Sequence, residues 1–482
     1  MLDFGVRQRA LVGILVLVAV LAGCGAGGGG GGADARSADA PLVRAQPWPQ
    51  RPVVDASLDL APDLSSATGT ESVLFTPDRR ICEVVFRNWA NRPSTVADGT
   101  SSRITRAAVD GVPVTPRTEQ AGAPAGAPGT LVELPLPSCV PAGTPVRAEV
   151  GFQVVLGADS GERIGYSPAA RTAWLGSALP LLAWVRGQGW ARDPAVRIPG
   201  ETVTSEDFSL NAMEVTAATG QTVVGTGTAA GTSSAGPGRT THLFTADAIR
   251  DVAVAAGNYA ITGASAGATR VHVAVPRTGA TASAPEWADE VGTQLARLED
   301  LLGPYPYPDL WLTIVPTQSD GVEFPTALQF GDVTDRARPS LVAHELAHMW
   351  FYSLVGNNQA RDPWLDESFA TWAQAIAAGQ QDRYRIRDFG PGDVAGPIGA
   401  PMSYWDANGG FRALTDAVYD QGAAALLAGR ARVGAERFDA AMRAYLAANA
   451  HRVATPADVE NAFRDLPEVL DVLREHGAFG MS

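Results

Sequence analysis

The sequence predicts a multidomain chain that is β first and α+β afterwards: an N-terminal antiparallel β domain, then a mostly helical domain. Three observations predict it. Over residues 48–276, short runs rich in Val, Leu, Ile and Thr alternate with Gly, Pro, Asp and Asn clusters, the pattern of strands joined by tight turns. From Glu286 onward the apolar spacing changes to that of helices. In that second half stands His344-Glu345-Leu346-Ala347-His348, followed by Glu367, which reads as a metal site carrying its own base.

The first element is a targeting segment. Arg7 and Arg9 precede an apolar core at 10–22, too short for an ordinary membrane span. Leu21-Ala22-Gly23-Cys24 places small residues before a cysteine and resembles the lipobox of bacterial lipoproteins. That resemblance implies a signal peptide at 1–23, a lipidated Cys24 and an anchor in the bacterial cell membrane; an ordinary signal peptide with an incidental cysteine is the alternative. Residues 24–47, rich in Gly and Ala, read as a flexible tether. Export would put Cys82 and Cys139 in an oxidising compartment, where a disulfide is expected; two buried thiols are the alternative.

Strands of the β domain are expected at 53–60, 80–88, 131–136, 146–156, 208–217, 221–227, 249–255 and 268–275. Residues 121–128 and 226–238 read as loop tips with little to pack, and 279–285 as a linker between domains. The catalytic domain then runs over 285–482. Its first helix spans 286–302, with Val291, Leu295, Leu298, Leu301 and Leu302 on one face, and ends at Gly303-Pro304. Short strands follow at 310–316 and 326–330, then helices at 340–355, 364–378, 413–432, 434–449, 456–464 and 467–476. Ser340 is the expected N-cap of the first of these, and Gly356 its expected stop.

Composition narrows the function. The 482 residues carry a formal charge of −14, which argues against a nucleic-acid partner, and no basic patch with interleaved aromatics occurs. The sequence contains no lysine, so Schiff-base chemistry is excluded.

The metal site follows from helix geometry. Residues four apart share a helix face, so His344 and His348 offer two imidazoles to one ion. Glu345 projects about 100° further round, within reach of a bound water. Asp362-Pro363 marks a turn, and Glu367 stands near the start of the next helix. Folded back, it closes a His₂Glu set that keeps a position for water, the arrangement of a catalytic zinc. Asp362, Asp366 and Thr371 are the candidates to orient the imidazoles.

With these residues placed, the chain resembles the aminopeptidase N family of gluzincin metallopeptidases. His344 to Phe351 matches the family's zinc helix, and Trp364-Leu365-Asp366-Glu367-Ser368-Phe369-Ala370 is similar to its W-L-N-E-G-F-A signature. Asp320-Gly321-Val322-Glu323-Phe324-Pro325 stands where the family has G-A-M-E-N, and Tyr419-Asp420-Gln421-Gly422 where it has Y-x-K-G, with Gln421 replacing the lysine. Weaker likeness continues through Ala178 to Ala183, Gly189-Trp190 and Asp207-Phe208, so the resemblance covers about 48–480. It implies a saddle-like β domain before a thermolysin-like zinc peptidase domain. It also implies a short member without the family's large helical cover, since the chain ends 115 residues after Glu367.

The roles it implies are one Zn²⁺ on His344, His348 and Glu367, Glu345 as general base and Tyr419 as the phenol facing the oxyanion. Tyr404 is a weaker competitor for that last role. Glu323 would bind the free α-amine of a peptide substrate, with the backbone of Gly321 and Val322 along the substrate strand. The function implied is an aminopeptidase acting on peptides outside the cytoplasm. A zinc endopeptidase of the wider group, and a non-catalytic surface-binding lipoprotein on a peptidase fold, are the alternatives.

Overall fold

The computed structural model describes residues 43–177, 179–387 and 396–480. The targeting segment, with Cys24, lies outside them. Residues expected to belong to the tether are already fixed at its end: Ala45 N–H donates to the Ala447 carbonyl at 2.8 Å.

Four sheets among the described residues build the first half, one of eight strands, two of four and one of two. The largest has eight strands, in the order Thr228–Ser234, Arg239–Ile249, Phe208–Ala218, Val53–Leu60, Ser66–Phe75, Val146–Val155, Ser101–Val109 and Val112–Pro113. All its pairs are antiparallel except Val53–Leu60 with Phe208–Ala218. Alternation drives it: in Val53–Leu60 every second residue (Val54, Ala56, Leu58, Leu60) is buried, the period of a half-buried strand. The stretch 226–238, expected as a loop tip, forms the exposed edge strand Thr228–Ser234 and its turn. Its small, polar residues give no apolar signal, and backbone pairing with Arg239–Ile249 holds it. Cys82 and Cys139, on neighbouring strands, are joined by the expected disulfide.

A five-stranded sheet carries the site: Tyr259–Ala266, Thr269–Pro276, Asp309–Val315, Ala327–Gly331 and Gly321–Phe324. Both of the first two fall within the expected β domain, where only the second was expected as a strand. They hydrogen-bond into this sheet instead, Thr269–Pro276 running parallel to Asp309–Val315. The expected linker therefore leads from one strand of this sheet to its crossover helix, Ala284–Leu302. That helix opens with a capping box between Ser283 and Glu286 and buries Trp287, Val291, Leu295 and Leu298 against the sheet and its neighbouring helices. Gly321–Phe324 is one edge strand of this sheet, paired among the described residues on one side only.

The zinc helix spans Arg338–Ala347. Ser340 is not its N-cap. The cap is Ala337, without a side-chain bond, and Ser340 Oγ instead meets Gln380 Oε1 at 2.9 Å. The start is held by Arg338, which pairs with Asp335 at 2.9 Å and lies over the Trp287 ring at 4.8 Å. The helix ends at His348, earlier than expected, and Gly356 lies in the strand Val355–Asn357. The need for glycine there comes from Arg250, whose Nε would sit 3.1 Å from a Cβ. The later helices fall close to their expected places, at Trp364–Ala377, Gly422–Val433, Ala435–Asn449, Pro456–Ala462 and Pro467–Glu475. No helix among the described residues is long and apolar enough to cross a membrane.

Candidate metal centre and active site

His344 and His348 point their Nε2 atoms at each other, 3.2 Å apart. Each Nδ1 faces an oxygen: Gln374 Oε1 at 3.1 Å for His344 and the Phe351 carbonyl at 3.2 Å for His348. An oxygen acceptor fixes the proton on Nδ1 and leaves a bare lone pair on Nε2. Two facing lone pairs repel unless a cation lies between them. Glu367 Oε2 completes the set, 3.3 Å from His344 Nε2 and 3.5 Å from His348 Nε2. Two nitrogens and one carboxylate oxygen, converging on one point from two helices, fit the donor set of a catalytic Zn²⁺.

The orienting partners differ from those expected. Gln374, seven residues after Glu367 and so on the same helix face, holds His344, and its amide in turn donates to Tyr384 at 3.1 Å. Asp366 accepts from the Glu367 N–H at 2.8 Å and from Gln359 at 3.2 Å, and touches neither histidine. Thr371 Oγ1 has no partner, and the Asp362 carbonyl accepts from Asn357 at 3.0 Å. The spacing of Gln374 is legible in the sequence, but an amide oxygen stands there in place of the expected carboxylate or hydroxyl.

Glu345 lies 4% exposed beside this point, with Oε2 unpartnered. Glu323 is 5% exposed with Oε1 unpartnered, and its carboxylate lies within 4.8 Å of ligand atoms of Glu345 and His348. Alternation on the edge strand explains the grouping. Gly321 and Glu323 share one face, and that face meets the zinc helix.

Burial and the crowd of carboxylates set the electrostatics. Burial, with Glu323 next to it, pushes Glu345 well above the usual carboxylate range. Burial also raises Glu323, with Glu367 adding to the effect and His348 opposing it. Asp366 is pushed up to about 8, by burial first and then by Glu367. Glu367 behaves in the opposite sense: burial alone would raise it, but His344 and His348 hold it far below the normal value. Such a concentration of buried negative charge is the environment in which a divalent cation is stabilising.

Tyr419 stacks on the His344 ring, centroids 5.7 Å apart and planes 21° from parallel. It sits in a π-helical turn, Thr415–Gln421, which the sequence gave no sign of. Burial and the nearby Glu367 raise its phenol well above the ordinary value, so it stays protonated and able to donate. Tyr404 packs edge-on against Trp405 and does not line the site cavity. That cavity, of about 1120 Å³, is lined by the metal-site residues, by Gly321, Val322 and Glu323, and by Arg163 and Glu201 of the β half. Arg163 and Glu201 pair with each other, and Gln359 bridges Glu201 to Asp366, at 2.6 and 3.2 Å. Neither was expected, because loops far apart in sequence bring them there.

The Peptidase family M1 domain matches residues 330–389, the segment holding the zinc helix and Glu367. Aminopeptidase N of Haemonchus contortus is 33% identical over 138 residues, 26% of this chain and 14% of that protein. Aminopeptidase M1-A of Oryza sativa subsp. japonica is 29% identical over 188 residues, 34% of this chain and 21% of that one. Over the stretch that carries the metal site, the chain is similar to M1 family peptidases. The fold agrees. The M1 zinc metallopeptidase of Deinococcus radiodurans aligns with a TM-score of 0.65 at 19% identity, covering 90% of this chain and 94% of that one. A two-domain M1 zinc metallopeptidase mutant bound to L-arginine aligns with a TM-score of 0.64 at 19% identity, over 90% and 94%. The matched stretches span about a fifth or less of the nematode and rice relatives' own length, whereas the two-domain M1 chain is spanned almost entirely.

Proposed function

We propose that this chain is a zinc-dependent aminopeptidase that releases N-terminal residues from peptides outside the cytoplasm. The observation that carries the reading is Glu323. It is a buried carboxylate with an unpartnered oxygen, set beside the base and a zinc ligand at the edge of a strand that opens on the cavity. A carboxylate so placed needs a cation, and the α-ammonium of a peptide supplies one. A mutant of the Deinococcus radiodurans relative was solved with the substrate Tyr-Ser-Ala, which supports a peptide substrate here.

The chain's own residues divide the work. His344, His348 and Glu367 would hold the zinc, which when bound acidifies water and polarises a carbonyl. Glu345 accepts the proton of the attacking water on a carboxylate oxygen and delivers it to the departing amine nitrogen. Tyr419 donates its phenolic hydrogen to the oxygen that becomes negative, an interaction stronger in the transition state than in the substrate. Glu323 anchors the ammonium and so sets cleavage after one residue. The free backbone edge of Gly321 and Val322 pairs with the substrate as an added strand.

The test is a set of aminoacyl-coumarin amides beside their N-acetylated forms, with zinc-loaded protein and Glu345→Gln. Cleavage of the free amines alone, lowered about 10²–10⁴-fold in Glu345→Gln, is expected. Cleavage of the acetylated forms alone would exclude the ammonium anchor and favour an endopeptidase. Zinc bound with no hydrolysis of any peptide would favour the non-catalytic lipoprotein.

The location is part of the proposal. The apolar core at 10–22, the lipobox-like Leu21 to Cys24 and the Cys82–Cys139 disulfide support export and an anchor at Cys24. Labelling of cells with a fatty-acid probe should mark the wild type and not Cys24→Ser; equal labelling would remove the anchor.

A further inference from the structure

The cavity wall carries two groups of polar and charged residues. Near Glu323 it is lined by Asp98, Glu162, Glu201 and Asp320, with Arg92 and Arg163 buried among them. The second group, from the helical half, is Thr334, Arg336, Ser340, Gln380 and Arg383. Arg336 and Arg383 are exposed into the cleft, and among the described residues neither forms an ion pair. Their acidic neighbours are engaged elsewhere: Asp335 pairs with Arg338 at 2.9 Å, Asp382 with Arg385 at 3.3 Å, and Asp420, which feels the charge of Arg383, with Arg387 at 3.1 Å. Arg383 donates to Gln380 Oε1 at 2.8 Å, and Gln380 also meets Ser340 on the zinc helix. Two arginines without carboxylates, on the wall of a cleft in a chain of net charge −14, need an explanation.

The direction of the substrate gives one. Its ammonium lies at Glu323, and the base Glu345 packs against Gly321. The substrate therefore runs antiparallel to Gly321–Phe324, and its later residues pass Gly321. The Gly331 N–H donates to the Asp320 carbonyl at 2.8 Å, so the strand's beginning lies beside the segment that leads on to Arg336. Arg336 lies in the turn two residues before the zinc helix, which rises about 9 Å from Arg338 to His344. Two to three extended residues beyond the scissile bond span about 7–10 Å. An arginine side chain covers what remains.

We infer that Arg336 and Arg383 bind the α-carboxylate of short peptides, making the cleft selective for tri- and tetrapeptides with a free C-terminus. The inference rests on the aminopeptidase reading for the direction of the substrate. The ligand chemistry is a carboxylate, and the source we assign is the peptide terminus rather than an acidic side chain.

The test uses the zinc-loaded full chain and Ala tetrapeptides in three forms: free acid, C-terminal amide, and an amide ending in Glu. The wild type should show kcat/KM about tenfold higher for the acid than for the plain amide, as expected of a charge-assisted pair. In Arg336→Ala/Arg383→Ala that ratio should fall to near unity. The same ratio should appear as affinity in Glu345→Gln, read by calorimetry. Absence of hydrolysis therefore counts against the aminopeptidase reading alone, while the binding arm still decides this one. Equal values for acid and amide in the wild type, persistence of the preference in the double variant, or a Glu amide as good as the acid would each overturn the assignment.

Discussion

Gly321 lies against Glu345 so closely that a Cβ at position 321 would sit 2.5 Å from both Cδ and Oε1 of the glutamate. Real Cβ atoms do not approach that near. Glycine is thus required because the strand forms the wall that fixes the base, and φ at this position is ordinary. Gly321→Ala should swing Glu345 away from the water position and lower kcat about 10²-fold, with one zinc per chain retained. Steady-state kinetics beside metal analysis checks this; a wild-type kcat in the variant would mean the strand does not position the base.

A second glycine places the phenol. A Cβ on Gly422 would lie 2.6 Å from that of Ser368, so the helices Trp364–Ala377 and Gly422–Val433 meet at closest approach there. Ser368 Oγ donates to the Val418 carbonyl at 2.6 Å, satisfying an oxygen in the π-helical turn immediately before Tyr419. Ser368→Ala should cost about 1–3 kcal/mol by leaving that buried carbonyl unpaired. Tyr419→Phe should leave stability nearly unchanged and lower kcat about 10²–10³-fold at constant KM. Chemical denaturation and kinetics on the two variants separate these effects. A Ser368→Ala protein as stable as the wild type would show that the turn does not depend on this bond.

These contacts mark the limit of what the sequence disclosed. Helix period alone gave His344, His348 and the side of Glu345, because spacing within one helix is fixed by backbone geometry. Glu367 followed from a second helix joined by a short turn. Strand alternation gave Val53–Leu60, Val146–Val155 and Phe208–Ala218 of the largest sheet but not Ser66–Phe75, Ser101–Val109 or Arg239–Ile249, and it failed at Thr228–Ser234, which is held by backbone pairing with nothing apolar to bury. Residue type makes Ser340 the expected cap, yet the helix start is anchored through Arg338 on Trp287, a contact across a long stretch of chain. Arg163 and Glu201 reach the cavity from loops of the other half, and no local pattern announces such residues. The π-helical turn at Tyr419 was invisible for a related reason: its Val418 carbonyl meets Ser368, a contact that only the packed helices create.

The two halves are tied behind the zinc helix by Arg250. Its guanidinium pairs with Asp207 at 2.5 Å and donates to the carbonyls of Ser205 at 2.8 Å and Ser353 at 3.2 Å. His451 adds a contact to Asp207 at 2.7 Å. Both charges are almost fully buried, so removing one strands the other. Asp207→Asn should lower stability by about 3–5 kcal/mol. Ser353 follows His348 by five residues, and its N–H donates to the His348 carbonyl at 2.9 Å, so zinc affinity should fall as well. Denaturant midpoints with and without zinc measure both; a loss below about 1 kcal/mol would mean the pair merely offsets its own desolvation.

Asp251 makes stability depend on pH. Its carboxyl is buried between Ser177, at 2.6 Å, and the Tyr352 hydroxyl, at 3.2 Å, and burial pushes its pKa up to about 6. The hydroxyls of Ser177 and Tyr352 pull in the other direction without reversing the shift. In the unfolded chain the group titrates near 3.8. Between these values the folded protein holds more protons than the unfolded one, so stability from this group is complete below about pH 4 and is lost as pH rises through about 6. The loss amounts to about 3 kcal/mol at one pKa unit per ~1.4 kcal/mol. Asp251→Asn keeps the shape and removes the titration. Its denaturation free energy, measured from pH 4.5 to 7.5 against the wild type, should gain on the wild type as pH rises; parallel curves would show that Asp251 is ionised in the folded protein throughout.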